Sequence, residues 1–515
     1  MTIGARVLLA ILIFAAALSA ERYDLQFEER FALYGTERHG KLGSGVAGGD
    51  FDGDGIDDLA ISAPWADGPG ERVDAGKVYL FFGGPARATA GDSRALDSSD
   101  LTIVGARPKD LIGLRLALTD LDGNGRADLV IASMYGDGPG DERSRCGEAY
   151  VLFGRSRESL PDSLDLGVDQ ADLVLYGADV GDFLTGEIAT GDMNGDGRME
   201  LALGAFYGDG IDNARHHSGE VHILFGRPRD QFPRQIDLAR DTLPQVVGPE
   251  ASDTFGRGVA FGDLDGDGRD ELIIGAYYGD GPENKRINAG ETFVIRGRAR
   301  EDLPVVIDAA LNPGFHIYGD EDGDLTGRAM GAADLDGDGK AELLVAAHAA
   351  SHDPAGSPAA NAGVVYIIRG RNWREFPLTI DLRYDQAPRL VASGENDHLG
   401  WPILSGTWLP EDQKAVLIAA KRSDGGPLGR HEAGEVFLVL GKRGDRWPAE
   451  PIPVSETASF SVIGQDEEDH LGYVGAILDW DGDGRSEIAV GAPDSRGWQN
   501  AEPLAGEVVV FFPPQ

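Results

Sequence analysis

Four carboxylates, Asp50, Asp52, Asp54 and Asp58, stand within nine residues of one another in GDFDGDGIDDLAISAP (49–64). Like charges this close repel, so something must hold them together. The spacing D-x-[DN]-x-[DN]-G-x-x-[DE] offers side-chain oxygens at positions 1, 3, 5 and 9. Position 7, Ile56, adds a backbone carbonyl. Calcium takes six to eight oxygens at about 2.3–2.6 Å, and the glycine at position 6 permits the sharp turn that gathers them. An EF-hand would place a bidentate Glu at position 12. Here that position is Ile61, inside an alternating apolar run, so the loop is not an EF-hand. Magnesium, with its rigid octahedron and retained waters, suits the pattern less well.

The loop recurs five times. The second copy has Asp120, Asp122, Asn124, Arg126 (carbonyl) and Asp128, and the third has Asp192, Asn194, Asp196, Arg198 and Glu200. Asp263, Asp265, Asp267, Arg269 and Glu271 make the fourth, and Asp334, Asp336, Asp338, Lys340 and Glu342 the fifth. The last has Asp479, Asp481, Asp483, Arg485 and Glu487. Up to six structural Ca2+ ions are therefore expected. Successive first aspartates lie 70, 72, 71 and 71 residues apart, followed by a gap of 145 that holds a degenerate copy, GTWLPEDQKAVLIAA from Gly406. Seven units of one period mean a repeat architecture. Each unit carries short alternating runs rich in Val, Ile, Leu and Phe, which read as four strands joined by turns. The fold class is all-β: a single seven-bladed β-propeller of four-stranded blades. FALYG near the start (from Phe31) is an outer-strand type, and GEVVVFF at the end is a third-strand type. The N-terminal strand is thus expected to complete the last blade and close the ring.

A net charge of −41 over 515 residues argues against nucleic acid as a partner. The lone Cys146 leaves no intramolecular disulfide and no cysteine metal site. Residues 1–20, MTIGARVLLAILIFAAALSA, read as a signal peptide, with cleavage after Ala17, Ser19 or Ala20. The propeller is expected over residues 23–515, in a monomer that is secreted, at the cell surface, or periplasmic.

These residues resemble the FG-GAP repeats of integrin α subunits. Phe255-Gly256 keeps the Phe-Gly of that motif, Gly491-Ala492-Pro493 matches its second half, and Ser62-Ala63-Pro64 comes close. The resemblance implies calcium in loops on one face and ligand binding on the other. Similar repeats stand beside the catalytic domain of a glycosylphosphatidylinositol-specific phospholipase, and no stretch here is left over for such a domain.

Residues that recur in every unit read as structural. Asp110, Asp182, Asp253, Asp324, Asp397 and Asp469 share one offset and are expected to cap turns, as are Asp67, Asp137, Asp209, Asp280 and Asp424. Arg443-Gly444-Asp445 spells an adhesion tripeptide, yet it aligns with the basic turns GRSRESLP and GRPRDQFP of other units. What varies is the loop between the second and third strands. It carries Arg72, Arg143, Arg145, Arg215, His216, His217, Lys285, Arg286, Arg430, His431, Arg496 and Trp498. These form a candidate ligand face for an extracellular protein or an anionic glycan. The expected function is a calcium-binding adhesion module and not an enzyme. The rival is a calcium-dependent polysaccharide lyase or hydrolase, with His216, His217, His398 or His470 as base.

Overall fold

The computed structural model describes residues 21–24, 30–85, 93–96, 99–311, 314–351, 359–392, 394–409, 413–425, 428–444, 447–497 and 502–512. The signal-peptide segment 1–20, Asp445 and Trp498 lie outside the described residues. Seven sheets follow one another around a ring. In the first blade the inner strand is Gly45–Gly49, the second Asp58–Ala63, the third Lys77–Phe81 and the outer Leu101–Val104, all antiparallel. The second strand is buried along its whole length in six blades, as in Glu271–Ala276 and Glu342–Ala347, and from Ala415 onward in blade six. Both its faces meet neighbouring blades, which is why LIIG- and LLVA-type runs replace strict alternation there. Seven apolar clusters result, each shared by two adjacent blades: Ile273, Phe315, Leu343 and Tyr366 pack between blades four and five, for example. Among the described residues helix is confined to single turns such as Val454–Thr457, and no helix is long and apolar enough to cross a membrane.

Arg30–Tyr34 pairs antiparallel with Glu507–Phe511, so the N-terminal strand is the fourth strand of blade seven. A second N-terminal strand, Glu21–Asp24, pairs parallel with Phe460–Ile463 of blade six. Both last blades are therefore completed from the other end of the chain.

The blades have five strands, not the expected four. In each, a two- to four-residue strand lies parallel against the outer strand and covers its edge. Ser163–Asp165 does this for blade one, Gln235–Asp237 for blade two, Val306–Asp308 for blade three and Thr379–Asp381 for blade four. Pieces this short carry too little alternation to register as strands in a sequence.

An arginine from the loop between the second and third strands clips each of these short strands. Arg72 makes a bidentate pair with Asp165, its Nη1 2.7 Å from Oδ1, and donates to the Gly105 carbonyl. Arg215 repeats this with Asp308 and Gly248, Arg286 with Asp381 and Gly319, and Arg143 with Asp237 and Gly177. Removing one partner of a desolvated pair strands the other. Arg286→Gln should accordingly destabilise the protein by about 1–3 kcal/mol in urea unfolding. Amide exchange should rise first at residues 379–381, and an unchanged midpoint would contradict the clip.

Candidate functional site

The acidic loops sit at the far end of each inner strand. In blades one, two, four and five, carboxylate oxygens of positions 1, 3 and 9 lie within 4.8 Å of one another: Asp50, Asp52 and Asp58 in the first, and Asp263, Asp265 and Glu271 in the fourth. Position 5 is used differently. Asp54 accepts the Ile56 N–H at 2.9 Å, and Asn124, Asp196, Asp267, Asp338 and Asp483 do the same two residues on. Position 9 staples the loop to its blade: Asp58 accepts the N–H of Phe51 at 2.8 Å and of Gly83 at 2.8 Å. Burial is the main force on these acids. It pushes Asp58 and Asp128 up to about 7, Glu342 to about 7, and Glu200, Glu271 and Glu487 to about 8.

The donor set fits a hard cation. Oxygens of three acids converge in each of these loops, the six position-7 carbonyls accept no hydrogen bond among the described residues, and the buried Asp479 Oδ1 has no partner there either. Blade six, by contrast, has Thr407, Leu409 and Ala415 where the other loops have acids at positions 1, 3 and 9, and it is tied to blade seven through Ser486, whose hydroxyl accepts the Leu409 N–H and donates to the Thr407 carbonyl.

The loops are also knitted to one another. The position-8 N–H donates to the position-1 carbonyl of the preceding blade, as Ala127 does to Asp50 and Ala341 to Asp263. The position-7 side chain crosses the glycine at position 4 of that blade: a Cβ at Gly123 would fall 2.7 Å from Arg198 Nε. Where blade six lacks a loop, Arg443 takes this place against Gly337. The arginine of the adhesion-like tripeptide is thus a structural neighbour of the fifth acidic loop.

On the opposite face, most of the sequence-derived ligand residues are already committed. Arg72, Arg143, Arg215 and Arg286 clip the short fifth strands, and Arg430 donates to the Gly464 carbonyl. Their guanidinium groups have partners inside their own blades, which leaves them fewer free donors than the sequence suggests. Lys285 pairs with Glu283, and His431 with Asp424. Arg145 and His217 supply the backbone N–H groups that Asp137 and Asp209 cap, and Asp209 also meets the His216 ring. Arg496 contributes only backbone contacts to the described set. The recurrent turn acids cap as expected: Asp110 accepts the Arg107 N–H, Asp324 that of Glu321, and Asp397 that of Gly394. His470 is held between Asp494 and Glu432, and the two carboxylates keep its imidazole charged to higher pH. Cys146 is buried, and desolvation pushes its thiol up to about 12, far from a nucleophile.

Sequence reasoning missed the central recess. It has a volume of about 370 Å3 at the start of the seven inner strands, the end of the axis away from the acidic loops. Arg115, Glu187, Arg257, Arg328, Trp401 and Tyr473 line it, one from each of six blades. Arg115 Nε bonds Glu187 at 2.7 Å, and Arg328 Nη1 stands 3.5 Å from the other oxygen of that carboxylate. Residues that follow the second strands gather here: Met134 lines the recess, while Phe206, Tyr277, His348 and Lys421 pack against its lining residues Arg257, Arg328 and Trp401. The signal was present but unread. This slot holds Pro in the Ser62-Ala63-Pro64 and Gly491-Ala492-Pro493 copies and changes in every other blade.

The FG-GAP repeat family matches residues 42–81, 113–151, 255–292 and 326–368, which are blades one, two, four and five. This chain carries FG-GAP repeats. Among curated proteins, the chain is 28% identical over 67% of its length to rat (Rattus norvegicus) phosphatidylinositol-glycan-specific phospholipase D. It is 29% identical over 46% of its length to Drosophila melanogaster integrin alpha-PS2. The chain spans 40% of the rat protein and 15% of the fly protein. A solved Bacillus licheniformis rhamnogalacturonan lyase covers 94% of this chain, which spans 75% of it, at 11% identity and a TM-score of 0.40, too distant to carry an argument. The expectation that the chain is not an enzyme is corrected by the phospholipase matches. The rat, human and bovine relatives, 24–28% identical over about two-thirds of the ring, are named as an enzyme.

Burial, with Glu148 nearby, holds the Asp110 carboxyl up to about 7. An aspartate in an unfolded chain titrates near about 3.9. Its contribution to stability is full below about pH 3.9 and is lost as pH rises through about 7. Asp110→Asn keeps the oxygen that accepts the Arg107 N–H and removes the charge. In urea unfolding the variant should match the parent near pH 4, gain on it steadily to about pH 7, and hold the gain at pH 8. A difference constant across that range would contradict a neutral buried carboxyl.

Proposed function

We propose that this chain is a secreted or cell-surface, calcium-binding FG-GAP propeller that acts as a binding or adhesion module for a protein or glycan ligand. One observation carries the reading. The recurrent acidic loops and the non-recurrent recess lie at opposite ends of the same inner strands, which separates a structural face from a variable one. The integrin relatives support a protein ligand, and the net charge of −41 disfavours nucleic acid.

In this reading calcium stiffens six of the seven hairpins through positions 1, 3, 5, 7 and 9, with affinities toward about 10⁻⁴–10⁻³ M, as in extracellular modules. Chelation should lower the melting temperature by several degrees, and calcium should restore it more effectively than magnesium. Asp263→Asn should remove part of that calcium-dependent shift, whereas a substitution at Thr407 of the degenerate sixth hairpin should leave it intact. A melting curve indifferent to chelator would defeat the calcium assignment. Protein and glycan arrays probed with the chain, with and without calcium, test the ligand; absence of any saturable partner would defeat the binding reading.

A second reading rests on the names of the phospholipase relatives: the ring takes part in cleavage of phosphatidylinositol-glycan. Groups packed against Trp401 of the recess have displaced protonation of the kind acid–base chemistry uses. Burial brings Lys421 down to about 7 and His348 to about 3. Release of a glycan-anchored protein from vesicles by the purified chain would support it, and no release above buffer would exclude it for this chain.

A further inference from the structure

Around the recess, buried and half-buried cations outnumber the carboxylates that could neutralise them. Glu187 is shared by Arg115 and Arg328. Arg257 donates to the Gly186 carbonyl at 2.7 Å and lies over the Phe206 ring, and no carboxylate pairs with it among the described residues. Lys421 has no hydrogen-bond or ion-pair partner there either; its Nζ stands 3.4 Å from the centre of the Trp401 ring and 5.2 Å from that of Tyr473. Arg328 shares the Trp401 ring at 4.9 Å and is 5% exposed. His348 Nδ1, buried against the same tryptophan, also lacks a hydrogen-bond partner.

A chain with a net charge of −41 has carboxylates to spare, yet it places two unpaired cations on its axis. Burying a charge without a partner is costly, and such sites persist where a ligand supplies the missing charge. We propose that the recess is an oxyanion site, which takes a compact ligand bearing a carboxylate or sulfate group between Arg257, Arg328 and Lys421. The proposal rests on the ligand-face reading above and names the chemistry of that face.

Forked guanidinium donors match the planar or tetrahedral oxygens of such groups, while an ammonium adds a point charge. Trp65, Tyr135 and Tyr473 contribute aromatic wall to a ring that carries the anionic group. A volume of about 370 Å3 accommodates one sugar acid and not a folded chain. Protonation of the cluster agrees with an uncompensated site. Burial first, and neighbouring cations second, bring Arg328 down to about 9 and Lys421 to about 7.

The test uses the full chain with calcium present. D-glucuronate and sulfate are titrated calorimetrically and by thermal shift against glucose and chloride at matched ionic strength. Saturable binding of glucuronate, sulfate or both is expected, with none for glucose or chloride. Binding of sulfate alone would point to a free inorganic anion, and binding of glucuronate to a sugar acid. Arg257→Gln combined with Lys421→Met should weaken the binding at least tenfold, keep the calcium-dependent melting shift, and melt no lower than the parent without anion. Lys421→Met alone, which removes one unpaired charge, is the milder companion and should weaken binding severalfold. Failure of both anions to bind, or unchanged binding by both variants, would overturn the proposal. A chain that takes neither anion but still selects a partner on arrays loses this inference and keeps the ligand-face reading. Anion binding with no array partner does the reverse.

Discussion

Each blade is apolar on both faces, so no blade can be left at an end. The seven clusters are shared between neighbours, and the last is completed only when Phe31 and Leu33, from the start of the chain, pack with Trp480, Val508 and Val510 from its end. This contact spans nearly the whole sequence, and its loop-closure entropy is correspondingly large. Two N-terminal strands rather than one seal the junction, in blades six and seven. With the ring closed, every inner strand points along one axis, and the two ends of that axis become separate chemical environments.

At one end, repetition places six acidic loops in a circle and joins them by backbone hydrogen bonds from one blade to the preceding one. The carboxylate at position 9 is central to this end. It ties the start of the loop to the end of the third strand, and burial raises its protonation range. At the other end the blades differ, and their differences meet: an arginine from blade two finds a glutamate from blade three and stands opposite an arginine from blade five. One scaffold thus keeps a uniform acidic rim and an individual cationic centre at opposite ends of strands of four to eight residues.

The acidic loops, the strand order within a unit and the ring were legible because each is local and repeated. A motif copied six times at one period reports its own structure, and apolar residues at position 12 excluded a helix after the loop. The turn acids were legible for the same reason: Asp110 and Asp324 each cap a turn three residues upstream. The fifth strands were not. Ser163–Asp165 and Thr379–Asp381 are too short to show a period, and only their pairing with another blade's outer strand makes them strands. The partners of the loop arginines were illegible in the same way, because Arg72 meets Asp165 and Arg286 meets Asp381 some ninety residues away.

The sequence by itself determined the period, the number of blades, the spacing of the hairpin acids and the degenerate sixth copy, since all of these are set by neighbours in the chain. Tertiary structure alone decided which charges are spent and which remain available. Arg72 and Arg257 are alike as residues; one is forked onto an aspartate, and the other donates to a backbone carbonyl beside a recess whose single lining carboxylate, Glu187, is already bonded to Arg115. Charge pairing depends on distances across blades, and those distances exist only once the ring has closed.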